Sequence, residues 1–74
     1  MEEIAIAGRS ALVDHTLIDA NLRQRYGVIV VGIQRQDRRM EFNPEPDTAM
    51  RAGDKLVVLG RPDSLKKLEA EAAG

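Results

Sequence analysis

The chain has 74 residues, 43% of them hydrophobic, and its 11 basic and 12 acidic side chains leave a formal net charge of -1. That length bounds it to one small domain near the lower limit for closing a core unaided, and the balanced charge excludes any overall pull toward nucleic acid or anionic lipid. The absence of cysteine excludes disulfides, zinc–thiolate sites and a thiol nucleophile and fits a reducing cytoplasm, while no apolar run nears the roughly 20 residues of a spanning helix and the acidic start MEEIAIAGRS is no secretory signal.

Ile4 and Ile6 alternate with Ala5 and Ala7 in the period-two pattern of a first strand, and Gly8 breaks it. Thr16 followed by Asp19 has the spacing of a capping box. Leu17, Ile18 and Leu22 then form an apolar stripe as far as Tyr26-Gly27, predicting one helix of two to three turns. Val28 to Val31 and Ile33 form a β-branched run apolar on both sides, which predicts a strand in the middle of the sheet with both faces covered. Gln34 to Arg39 is polar and turns the chain at Asp37.

Met40 and Phe42 alternate with Glu41 and Asn43, a third strand with one buried face. Pro44 and Pro46 lack amide donors and disfavour helix before them, so the chain leaves the sheet in an extended path that Ala52-Gly53-Asp54 turns back. Leu56 to Leu59, entered at Lys55, reads as a second doubly covered strand ending at Gly60. Pro62 opens a last helix with Asp63 in its first turn and Leu65, Leu68 and Ala72 on its inward face. The fold class is therefore α+β, a small β-α-β-β-β-α domain whose helices cover a largely antiparallel sheet. Two strands apolar on both faces are more surface than two short helices hide, and the surplus predicts self-association.

Catalytic chemistry finds little material. The single histidine, His15, lies beside Asp14 before the helix cap and reads as a solvated loop residue; no triad can be built without it. Ser10, Ser64, Thr16 and Thr48 all stand at turns or caps. Glu41, Glu45, Asp47 and Asp54 supply carboxylates without EF-hand spacing, so no metal site is assigned. Gly27, Gly32, Gly53 and Gly60 are scattered punctuation rather than a phosphate loop, and one tyrosine with one phenylalanine make no stacking platform, which disfavours nucleic acid. Arg35, Arg38 and Arg39 surround one hairpin, where they either meet phosphates or solvate the loop. Asn43 with its prolines, next to the Val28 to Ile33 wall, forms either the rim of a shallow ligand site at a dimer seam or a plain turn. The residues alone leave both open.

Three segments carry a resemblance: Leu-Arg-x-x-Tyr-Gly-Val at Leu22 to Val28, Pro-x-x-Asp-Thr at Pro44 to Thr48, and Ala-Gly-Asp-x-Leu at Ala52 to Leu56. In this order and spacing, over roughly Ile4 to Leu68, the chain resembles the TrkA-C domain of potassium-conductance regulators, also called the RCK C-lobe. The resemblance implies a non-enzymatic cytoplasmic regulatory module that forms homodimers and senses small effectors, cyclic di-AMP or a divalent cation in some branches. It implies as partners a TrkA-N domain and the membrane channel or transporter of a longer protein, from which residues 1–74 read as an excised domain. No TrkA-N half lies within the 74 residues, so no NAD or ATP cofactor is carried over. By similarity to the cyclic di-AMP branch, Arg23, Ile29, Val30, Asn43 and Pro44 are the ligand-binding candidates. The rival expectation is a purely structural dimerisation module that has no effector of its own.

Overall fold

The computed structural model describes all 74 residues. A four-stranded antiparallel sheet carries the fold, built from β1 (Glu2–Ala5), β2 (Ile29–Gln34), β3 (Met40–Phe42) and β4 (Lys55–Leu59) in the spatial order β1-β4-β2-β3. The two apolar runs, β2 and β4, thus occupy the middle, as their composition predicts.

Directly opposed residues of an antiparallel pair share a face. Ile4↔Leu56, Ile33↔Leu56 and Val30↔Val58 define the inner face. There Ile4, Ile33, Leu56 and Val58 are buried together with Leu68 and Ala72 of α3 (Pro62–Ala73), and with Leu12, Leu22, Val28 and Met50. Ile29↔Leu59, Gly32↔Phe42, Gly32↔Val57 and Gln34↔Met40 define the outer face.

No element of the chain covers that outer face. Ile29 is 53% exposed, Leu59 43% and Phe42 78%, so β2 and β4 are covered on one side only, contrary to the expectation of two covered faces. A β-bulge between Val30 and Gly32 is part of the reason. It inserts Val31 as an extra residue and resets the alternation, so that Ile29 and Gly32 both face outward. The third strand is corrected in the same way: its apolar residues, Met40 and Phe42, lie on the open side, while Glu41 opposes the inward Ile33.

The predicted single helix is two pieces, α1 (Leu17–Ala20) and α2 (Leu22–Tyr26). Asn21 separates them in the left-handed region at φ 55°, a conformation asparagine tolerates better than most side chains. The cap signals at both outer ends hold: Asp19 N–H donates to Thr16 Oγ1 at 3.0 Å, and Gly27 closes α2 at φ 71°. Capping residues mark where a helix starts and stops, and Asn21 is itself a competent cap, so the pattern concealed an internal stop.

The proline segment has a structural job. Ile18 N–H donates to the Pro46 carbonyl at 2.9 Å and Leu17 N–H to the Thr48 carbonyl at 3.0 Å, which satisfies orphan donors at the start of α1. Asp14 N–H to Met50 O and Met50 N–H to His15 O continue the seam at 2.7 and 2.8 Å. The crossover from β3 to β4 is therefore fastened to the segment that leads into α1.

Candidate ligand site

Arg23, Ile29 and Val30 meet. Together with Leu17, Leu22 and Val28 they line a recess of about 200 Å³ between the α1–α2 pair and the start of β2. Gly27 ends α2 with a left-handed turn and sends the chain straight into β2, which places the arginine and the two aliphatic residues side by side. The lining is apolar except for Arg23, whose guanidinium enters no ion pair. Ile29 also lies on the open sheet face, so recess and open face are continuous.

Asn43 and Pro44 do not line this recess. Asn43 follows β3 at φ 48°, and its N–H donates to the Val31 carbonyl at 2.9 Å, one residue beyond Val30 along β2. Its amide side chain is exposed, and Pro44, half-buried, begins the crossover. Of the five candidates, three converge within one chain and two stand at the neighbouring strand edge. From the sequence, Val28 is named only as part of an apolar wall, Leu17 and Leu22 read as a helix stripe rather than as lining, and Phe42 is expected on a buried strand face. The signal for Phe42 was Gly32: its missing side chain leaves the space into which Met40 Sδ and Phe42 fold, at 3.3 and 3.8 Å from where a Cβ would stand.

The other chemistry-bearing residues are committed to structure. Arg35 is the hub: Nε donates to Glu41 at 2.7 Å, and Nη1 donates to Asp54 at 2.6 Å and to the Ala49 carbonyl at 2.9 Å. Asp54, 1% exposed, also accepts from Arg51 N–H at 2.8 Å. Hydrogen bonding from Arg35 holds the Glu41 carboxyl below the usual carboxylate range, and the same bond raises the guanidinium. Two of the four carboxylates weighed as metal ligands thus close on an arginine. His15 pairs with Asp19 rather than Asp14, and Asp14 accepts from Arg51 Nη1 at 2.6 Å. Ser10 is a buried link that donates to the Glu71 carbonyl at 2.7 Å and accepts from Leu12 N–H at 3.1 Å.

Comparison with known proteins agrees with the fold. The sequence profile of the TrkA-C domain matches residues 1–73. An uncharacterized transporter of Rhodopirellula baltica is 46% identical over 59 residues, covering 80% of this chain and 10% of the transporter. A probable potassium channel protein of Methanocaldococcus jannaschii is 32% identical over 69 residues, 93% of this chain and 20% of the channel. The chain therefore spans a minor part of each relative's length. Among solved structures, the RCK_C domain dimer of S. agalactiae BusR in complex with c-di-AMP superposes with a TM-score of 0.88 at 18% identity, over 95% of this chain and 91% of that one. The RCK C domain of the potassium transport protein KtrA, also in complex with c-di-AMP, gives 0.83 at 23% identity over 93% and 78%. At these identities the likeness establishes the fold: a sheet of four antiparallel strands with helices against it.

Proposed function

Because the chain belongs to the TrkA-C domain family, we propose that it is the cytoplasmic effector-sensing domain of a potassium or other cation channel or transporter. It works as a homodimer and gates transport by rearranging when ligand binds. The observation that carries this reading is the half-finished site. The recess of about 200 Å³ falls short of the roughly 300–1,000 Å³ of small-molecule pockets. It opens beside an apolar sheet face that one copy leaves bare. A two-fold pairing brings two such recesses together, and an isologous seam suits a ligand that is itself two-fold symmetric.

A cyclic dinucleotide has that symmetry, with two bases for the aliphatic walls of Ile29 and Val30 and two phosphates for the unpaired Arg23 of each copy. Asn43, at the adjacent edge, offers a donor and an acceptor to a base. The c-di-AMP complexes of the BusR and KtrA domains support cyclic di-AMP as the first ligand to test. No step of bond making is involved: an effector that binds one arrangement of the pair more tightly shifts the population toward it, and an attached TrkA-N domain and pore respond to that shift.

Titration calorimetry with cyclic di-AMP tests the proposal. The expected result is one ligand per two chains, weakened roughly tenfold or more by Arg23→Ala, the size of one lost charge-assisted contact. A dimer by light scattering that no cyclic dinucleotide, adenine nucleotide or divalent cation stabilises identifies a purely structural pairing module instead.

A further inference from the structure

The arginine hairpin is left unused by the site above, and its three guanidinium groups have separate fates. Arg35 is countered by Glu41 and Asp54, and Arg39 Nε by Asp37 at 2.9 Å. Arg38 enters no ion pair, and neither does Lys55 at the start of β4. The fold brings these two free cations to one recess of about 270 Å³, completed by Gln34, Arg35, Gln36 and Gly53. Every side chain lining it is cationic or a neutral amide, and no carboxylate is among them. Of the acids adjacent to it in the chain, Asp37 is occupied by the backbone N–H and Nε of Arg39, and Asp54 by Arg35 Nη1 and the Arg51 N–H.

The backbone supplies a second observation. Arg35 N–H bonds to Arg39 O at 2.7 Å and Arg38 N–H to Arg35 O at 2.8 Å, which closes a three-residue hairpin loop whose last residue takes the left-handed conformation. That position suits glycine, and here Arg38 holds it at φ 75°. A strained conformation kept by a charged side chain that has no partner is explained when the charge is wanted there. Arg35, which also lines the recess, is fixed by its own bonds through Nε and Nη1 and leaves Nη2 without a protein partner.

We infer that the recess formed by Arg38, Lys55, Gln34 and Gln36 binds a phosphate monoester or pyrophosphate group, as a second anion site separate from the Arg23 recess. The chemistry is that of cations and amide donors with no competing acid, matched to a compact, multiply charged oxyanion. The same group occurs on a free metabolite and on an anionic lipid headgroup, so two probes are needed.

The first is pyrophosphate, followed by amide NMR on the whole chain. The expected shifts are confined to Gln36–Arg39, Gly53 and Lys55. Arg38→Gly and Lys55→Gln each weaken the response roughly tenfold, and Arg23→Ala leaves it unchanged. Arg38→Gly also relieves the left-handed strain, so it is expected to melt no lower than the parent and loss of binding cannot be ascribed to unfolding. The second probe is co-sedimentation with phosphatidylcholine vesicles carrying phosphatidic acid. Sedimentation abolished by Arg38→Gly assigns the lipid source, and pyrophosphate binding alone assigns the free one. Shifts that scatter over all basic surfaces, or that persist at full strength in Arg38→Gly, overturn the inference, as does the absence of response to both probes. Failure here leaves the Arg23 site standing, because cyclic di-AMP binding is read at different residues.

Discussion

At the scale of single residues, the arginine at the centre of the hub is the side chain on which most depends. Replacing Arg35 by methionine leaves the Asp54 carboxylate 1% exposed with its cationic partner gone. Removing one member of a buried pair costs about 3–5 kcal/mol, and a domain of this size has little more than that to lose. Urea denaturation should therefore show Arg35→Met mostly or wholly unfolded, with Arg35→Lys an incomplete rescue because lysine cannot bond Glu41, Asp54 and Ala49 from one planar fork. A midpoint unchanged in Arg35→Met removes the hub from the account of stability. Glu41 gives the pH dependence. Its folded-state value lies below the ordinary one because of Arg35, with Arg39 adding attraction and Asp37 opposing. Its contribution is thus complete above the ordinary carboxylate range and disappears as pH falls through the depressed folded value. Asp37, held low by the Arg39 backbone N–H, acts in the same direction. The acid limb of the stability profile should flatten in Glu41→Gln, and an identical limb contradicts this. For Asn43, the left-handed φ of 48° decides which substitution is informative: glycine removes the amide and keeps the backbone, whereas alanine adds strain of about 1 kcal/mol. Asn43→Gly is expected to weaken cyclic di-AMP binding in calorimetry without lowering the melting temperature. Unchanged affinity removes this residue from the site.

Among the elements, the turn from β4 into α3 has little tolerance. A Cβ on Gly60 would stand 2.8 Å from Val28 Cγ1 and 3.5 Å from Leu65 Cδ2, whereas one on Gly8 meets nothing nearer than 4.0 Å. Overpacking of this kind costs about 1–3 kcal/mol, so Gly60→Ala should melt well below the parent and Gly8→Ala close to it; equal melting temperatures refute the packing argument. The elements also show how far patterns could be read. Cap and breaker residues, Thr16, Gly27, Gly60 and Pro62, marked outer boundaries correctly because each acts through its own backbone geometry. The break at Asn21 was hidden, since asparagine inside an apolar stripe is compatible with a helix or with a left-handed stop. The facing of β2 and β3 was hidden as well. A run such as Val28 to Ile33 has no polar phase marker, and the bulge at Val31 shifts its alternation.

For the whole molecule, the decisive feature is a sheet with one face packed and the other bare. Ile29, Leu59 and Phe42 expose apolar surface on that face, a patch of the kind that marks an interaction surface. If a second copy covers it, a charge placed in its middle must oppose association. Light scattering is expected to give a dimer for the parent chain and a folded monomer for Phe42→Glu with Leu59→Lys, with cyclic di-AMP binding lost alongside the dimer. A variant that still pairs as tightly places the seam elsewhere on the molecule. No helix is long and apolar enough to cross a membrane.

The sequence by itself determined the element types, their order, the central place of the two β-branched runs and the family, because these follow from local periodicity, capping and fixed motif spacing. The site candidates came from the family resemblance rather than from the residues themselves; of them, Arg23, Ile29 and Val30 are six and seven residues apart across a single glycine turn, so local geometry brings them together. Only the tertiary structure decided that Glu41 and Asp54 close on Arg35, that Arg38 and Lys55 share a recess, and which side of the sheet is left open. Those outcomes join positions distant along the chain, and they depend on strand register and one inserted residue, which composition and periodicity do not encode.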